Sequence, residues 1–259
     1  MTAPGIDPCS LVPLYVEPHF RETQLSQATA FLWLRYDGKL ALVTNWHVVA
    51  GRNPETNECL SKMGGIPDHL RLHMPYLDRA IPPLIIDIPT VGSDGEALWS
   101  EHQRHGRTVD VVALPISLPR PDVIATMPMN AIRTVPLKQR VGFPLFILGF
   151  PFGRQGLGLP VWKQGSFASE PYFTGHDAQR YLIVDTASRP GMSGSPVIQR
   201  AHGEIELEDA HGRMAAGDGG CRFVGIYSGR FHTNDVGDAQ LGRVWPATLV
   251  EEIANSARL

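Results

Sequence analysis

The chain has 259 residues, 43% of them hydrophobic, and a formal net charge of −3. That length allows one large or two modest domains with a sizeable core, and the near-neutral balance excludes the basic footprint expected of a nucleic-acid partner. Glycine and proline are frequent, at 26 and 22 residues, and no long helical or heptad period occurs, so the expected class is all-β.

Residues 1–27 are Pro-rich and then polar, and are expected to run over the surface of the folded remainder of the chain. They show neither a basic region nor an apolar core of a leader, and no apolar run nears the roughly 18 residues needed to span a bilayer, which predicts a cytoplasmic protein without a membrane partner. Residues 30–36 and 40–43 are apolar runs around Asp37-Gly38, a hairpin signal. The pattern then gives way at Thr44-Asn45-Trp46-His47 to a short turn closed by Gly51. A long polar loop is expected to residue 68, then strands at 69–74 and 84–88. Residues 108–116 place Asp110 inside a β-branched run, where a carboxylate is costly without a partner.

Residues 117–139, with four prolines, read as a crossover between two halves. Five strand-like stretches come next, at 141–148, 159–167, 181–185, 196–199 and 223–227. The acidic, Gly-ended stretch 201–220 is expected to be a mobile surface loop, and 249–257 a short helix after Pro246. Cys9, Cys59 and Cys221 are odd in number, widely spaced and without C-x-x-C, which implies reduced thiols. His102 and His105 have no nearby third ligand, and the spacing Gly153-x-x-Gly156-x-Gly158 does not fit a phosphate loop. No metal and no cofactor are expected.

The stretch Arg189-Pro190-Gly191-Met192-Ser193-Gly194-Ser195-Pro196 sets a serine between glycines that let the backbone turn its N–H groups toward a substrate carbonyl. A serine hydroxyl needs a base to act at neutral pH, and His47 and Asp110 precede it, each at or inside a strand-like run. Residues 42–49, 109–116, 148–153 and 184–194 together resemble the trypsin/chymotrypsin-like serine proteases, and among them the HtrA-like bacterial branch, over roughly residues 28–254. The resemblance implies two six-stranded antiparallel β-barrels with a short C-terminal helix. It divides the chain into a surface segment 1–27, a barrel 28–120 carrying His and Asp, a linker 121–139 and a barrel 140–259 carrying Ser.

It further implies a serine endopeptidase acting on protein or peptide, with Ser193 as nucleophile, His47 as general base and acid, and Asp110 as the group that orients the imidazole. Gly191 and Ser193 would supply the oxyanion-hole N–H groups, and Ser228 would hydrogen-bond the aspartate. Ala187, Ser188, Arg189, Gly229 and Arg230 are the expected substrate-pocket residues. Ala187 at the pocket floor disfavours cleavage after Lys or Arg and favours a small or medium apolar residue, whereas Arg189, Arg230 and His232 would suit an acidic one. Ser195 replaces the usual last glycine of the motif. Met192 replaces the aspartate that pairs with a new N-terminus, so control is expected from loops or a regulatory partner rather than from N-terminal cleavage. No stretch remains for the PDZ module of the HtrA branch, and oligomeric state is left open. Two other classes stay in view: a catalytically silent protease fold used for binding, and an α/β-hydrolase esterase, whose serine would precede the acid and histidine.

Overall fold

In the computed structural model the described residues are 5–257 apart from 63, 120–121, 154–157, 172–180, 209–212, 216–218 and 231–239. The first half contains β1 (Pro13–Phe20), β2 (Thr23–Gln24), β3 (Ala28–Leu34), β4 (Leu40–Thr44), α1 (Trp46–Ala50), β5 (His69–Met74), β6 (Leu84–Pro89), β7 (Ser100–Glu101) and β8 (Val112–Ile116). The second contains β9 (Pro144–Gly149), β10 (Val161–Phe167), β11 (Leu182–Asp185), β12 (Pro196–Ala201), β13 (Glu204–Glu206), β14 (Arg213–Ala215), β15 (Gly220–Arg230), β16 (Leu241–Pro246) and α2 (Ala247–Ser256).

The expectation of two six-stranded barrels is wrong for the first half. Its strands run β6-β5-β1-β3-β4-β8-β7, an open half-barrel of seven with β2 attached to β1, whereas β10-β11-β16-β15-β12-β9 close into a six-stranded barrel. Closure would need a ladder between β6 and β7. The chain instead turns there, with a single bridge between Val91 and Ala97, and the two-residue β7 spends its pairing on β8. The gap leaves a cleft of about 930 Å³ lined by Ile88, Trp99, Leu114 and Pro115 among others.

Residues 13–20 are not a surface segment but an interior strand of the half-barrel, paired with β3 and β5, with Leu14 and Val16 buried. Pro18 is tolerated because the β1–β3 ladder ends at Val16 opposite Ala28, so its missing N–H faces no β3 partner. Residues 201–220, expected as a loop, include the β13–β14 hairpin. His232 lies outside the described residues.

Three apolar clusters result. One fills the half-barrel around Leu32, Leu42, Leu70 and Leu72, and one fills the closed barrel around Ile147, Phe167, Val197 and Tyr227. The third joins the halves, Phe31, Val43 and Val111 meeting Leu148, Ile198, Ile226 and Trp245 under α2. Val250, Ile253 and Ala254 recur at helical spacing on one face of α2, which is why a ten-residue helix suffices to cover that seam.

Candidate active site

The imidazole of His47 is set by the end of β4. After Thr44 the chain leaves the ladder and makes one helical turn, α1, closed by Gly51, whose N–H donates to the His47 carbonyl at 3.0 Å. Asn45 sits before that turn and donates from Nδ2 to the Asp110 carbonyl at 2.7 Å, tying the turn to the segment before β8. Asp110 is not inside a strand, as expected, but two residues ahead of β8, after a tight turn over Gly106–Thr108.

Asp110 is 2% exposed, and its side chain is fully engaged. Its Oδ1 accepts from the His47 backbone N–H at 2.9 Å, and its Oδ2 lies 2.7 Å from His47 Nδ1 and 2.5 Å from Ser228 Oγ, which donates to it. Three donors offset the cost of burying the charge. With Nδ1 committed to the carboxylate, the neutral imidazole carries its lone pair on Nε2.

Ser193 stands on the loop between β11 and β12, and the first half holds that loop. Thr29, on β3, donates its N–H to the Ser193 carbonyl and its hydroxyl to the Gly191 carbonyl, both at 2.8 Å, while Thr44 Oγ1 donates to the Thr29 carbonyl at 2.9 Å. From the other side, Gly194 N–H donates to the Tyr227 carbonyl and Tyr227 N–H to the Ser195 carbonyl, each at 2.9 Å. Gly191 and Gly194 have φ of +97° and +83°, and a Cβ there would fall 2.2 Å from the Phe150 carbonyl oxygen and 1.9 Å from that of Thr29. Only glycine fits either place. The N–H groups of Met192, Gly194 and Ser195 are spent on backbone carbonyls, whereas those of Gly191 and Ser193 have no protein acceptor among the described residues.

His47 and Ser193 both line two adjoining clefts, of about 280 and 320 Å³. Among the described residues no hydrogen bond joins the Ser193 hydroxyl to the imidazole. The first cleft is also lined by Ser188, Arg189, Gly229 and Arg230, but not by Ala187. Beneath it the Tyr227 phenol is 1% exposed, with its hydroxyl 2.5 Å from Ser188 Oγ. A Cβ at Gly242 would fall 2.4 Å from the Tyr227 ring, so the missing side chain of β16 is what admits the phenol. Burial pushes the Tyr227 phenol up to about 12.

The trypsin-like peptidase domain family matches residues 28–205, well over half of the chain. The chain belongs to the trypsin-like peptidases. Among solved structures it is similar to an inactive, mutant form of the Rv3671c protease from M. tuberculosis, with 16% identity and a TM-score of 0.50 over 97% of this chain and 90% of that one. It is also similar to the HtrA-type protease AlgW, with 16% identity and a TM-score of 0.49 over 95% of this chain and 59% of that one. Deg5 gives 16% and 0.49 over 94% and 87%. At such identities the likeness concerns the fold. No curated protein matches.

Within this trypsin-like peptidase fold, His47, Asp110 and Ser193, which the motif strings single out, and Ser228, which the resemblance implies, line one groove between the halves. Thr29, Asn45 and Tyr227 were missed. Each reads in sequence as an ordinary strand or turn residue, and its partners lie 162, 65 and 39 residues away, so no local pattern marks it. Ser195, unexpected where a glycine is usual, is buried with no hydrogen-bond partner for its hydroxyl among the described residues, and lies where a Cβ on Gly149 would be, 2.0 Å from Oγ. Among the described residues no helix is long and apolar enough to cross a membrane.

Proposed function

We propose that this chain is a serine endopeptidase that acylates Ser193. One observation carries the reading: a buried carboxylate grips both the backbone N–H and Nδ1 of His47, leaving Nε2 toward the groove that Ser193 lines. His47 Nε2 takes the Ser193 proton as Oγ attacks the substrate carbonyl carbon, and Asp110 stabilises the imidazolium that forms. The negative charge on the carbonyl oxygen is taken up by the N–H groups of Gly191 and Ser193, the two of that loop without a protein acceptor among the described residues. Collapse expels the amine with the proton from His47. A water then attacks the acyl-enzyme with His47 again as base.

The side chain before the cut enters over Ser188 and Gly229, and Tyr227 makes that entry shallow. A small or medium apolar residue is therefore the preferred one, and Arg189 and Arg230, exposed at the rim, are secondary. The all-β architecture leaves no place for the α/β-hydrolase alternative. The absence, among the described residues, of a hydrogen bond to the Ser193 hydroxyl favours a silent binding module. A fluorophosphonate probe decides between them: labelling of the native chain at Ser193, lost in Ser193→Ala and in His47→Ala, is expected, and a native chain that stays unlabelled while folded would favour the binding module. Cleavage of a peptide library should give small apolar residues before the cut.

A further inference from the structure

The N-terminal segment ahead of β1 is fastened by its polar side chains to the closed barrel. Residues Pro8–Leu11 form a 3₁₀ turn capped by Asp7, whose Oδ1 accepts from the Cys9 N–H at 2.9 Å. The same Asp7 pairs with Arg200 of β12, Arg200 lies over the Trp162 ring of β10, and Trp162 Nε1 donates to Ser10 Oγ at 2.8 Å. At the centre of this clasp the Sγ atoms of Cys9 and Cys221 are 3.8 Å apart. They lie 212 positions apart in sequence, on the segment leading into the half-barrel and at the start of β15. Both are free thiols, and both line a surface cleft of about 570 Å³ together with Arg133 and Arg200.

We infer that Cys9 and Cys221 form an oxidisable dithiol, closed to a disulfide by a peroxide, that locks the two halves together at the end of the groove strand β15. The geometry needs little movement, since the sulfurs must approach from 3.8 Å to about 2.05 Å. Cys221 is the attacking sulfur: the hydrogen bond from the Cys9 thiol, and then the Arg200 guanidinium, hold it below the usual thiol range despite burial. Its thiolate attacks one peroxide oxygen, forming an S–O bond and breaking O–O, and the other oxygen leaves as hydroxide. The Cys9 sulfur then attacks the Cys221 sulfur; S–S forms, S–O breaks, and the departing hydroxyl leaves as water with the Cys9 proton. With the hydroxide taking up the proton that Cys221 had released, one peroxide is reduced to two waters as the two thiols lose two electrons, and a small-molecule dithiol reduces the disulfide back to two thiols while becoming a disulfide itself.

The bond would act on the site through β15. That strand runs from Cys221 to Tyr227, whose backbone holds the Ser193 loop, and to Ser228, which holds Asp110. The inference stands independently of the peptidase reading, because its readout is a covalent bond.

The test is to expose the native chain to hydrogen peroxide, block remaining thiols with N-ethylmaleimide and map the peptides without reduction. A Cys9–Cys221 cross-linked peptide, with Cys59 alkylated and the link undone by dithiothreitol, is expected. The oxidised chain should melt on the order of 5 °C higher than the reduced one. This shift should persist in Cys59→Ser and vanish in Cys9→Ser. Alkylation of both Cys9 and Cys221 after peroxide, a link through Cys59, or over-oxidation of Cys221 without a link would each overturn the inference. The mapping uses the unaltered chain, so it does not depend on whether a variant folds.

Discussion

Thr29 shows how much of the groove depends on one hydroxyl remote from it in sequence. Its Oγ1 bonds the Gly191 carbonyl and its N–H bonds the Ser193 carbonyl, so β3 of the half-barrel fixes the peptide unit that directly follows each proposed oxyanion donor. Thr29→Val keeps shape and removes the hydroxyl, leaving the buried Gly191 carbonyl unpaired at a cost of about 1–3 kcal/mol. Loss of one oxyanion donor costs on the order of 10²–10³ in rate, and a displaced Gly191 should approach that. The expected result is kcat lowered by about 10–100-fold with KM little changed, and recovery in Thr29→Ser; a change confined to melting temperature would make Thr29 structural only. At the pocket, Tyr227→Val should admit larger apolar side chains before the cut, read as at least a tenfold rise in kcat/KM for Leu or Phe relative to Ala. His47, Asp110 and Ser193 were legible because each lies in a short string whose neighbours are distinctive, and Ser228 followed from the resemblance those strings carry. Thr29 and Tyr227 were not, because what distinguishes them is a partner on another strand.

The strands show where a sequence pattern carries and where it fails. The runs at 30–36, 40–43, 69–74 and 84–88 alternate or are continuously apolar, and they became β3 to β6. β1 and β16 were overlooked, the first because Pro13 and Pro18 interrupt it and the second because Gly242 and Arg243 break its apolar run. Both are nonetheless pairing strands between two neighbours, a status that only the partners confer. The same holds for closure, which depends on the missing β6–β7 ladder and not on any property of either strand. Between β9 and β12 one contact can be tested directly. Gly149 at the end of β9 leaves the space that the Ser195 hydroxyl occupies, so Gly149→Ala is expected to destabilise by about 1–3 kcal/mol through overpacking. Ser195→Gly in the same chain should return part of that loss, measured by urea unfolding as a double-mutant cycle. Rescue stays partial because Thr29 Oγ1 and Met192 Sδ would still lie 2.9 and 3.1 Å from the new Cβ.

For the molecule as a whole, the two halves share an alkaline weakness. Tyr15 of the half-barrel packs edge-on against Phe150 at 5.8 Å, and Tyr227 fills the closed barrel. Burial, joined in Tyr15 by the Glu17 carboxylate, raises both phenols to about 12. The folded state thus keeps each phenol protonated after the unfolded chain, with tyrosines near 10, has begun to release its protons. Stability is fully present below about pH 10 and falls as pH rises toward 12, because the unfolded state binds fewer protons in that window. For Tyr227 the two-unit difference corresponds to roughly 2–3 kcal/mol lost across it; Tyr15 adds a loss of the same sign. Urea unfolding of the native chain and of Tyr227→Phe at pH 9 and pH 11.5 separates this from lysine titration, which both chains share. The variant is expected to start less stable, having lost the bond to Ser188, and to decline less with pH by roughly the Tyr227 contribution. Parallel decline in the two chains would mean that the phenol ionises as readily in the barrel as in water, and that burial of Tyr227 is not what shapes the pocket.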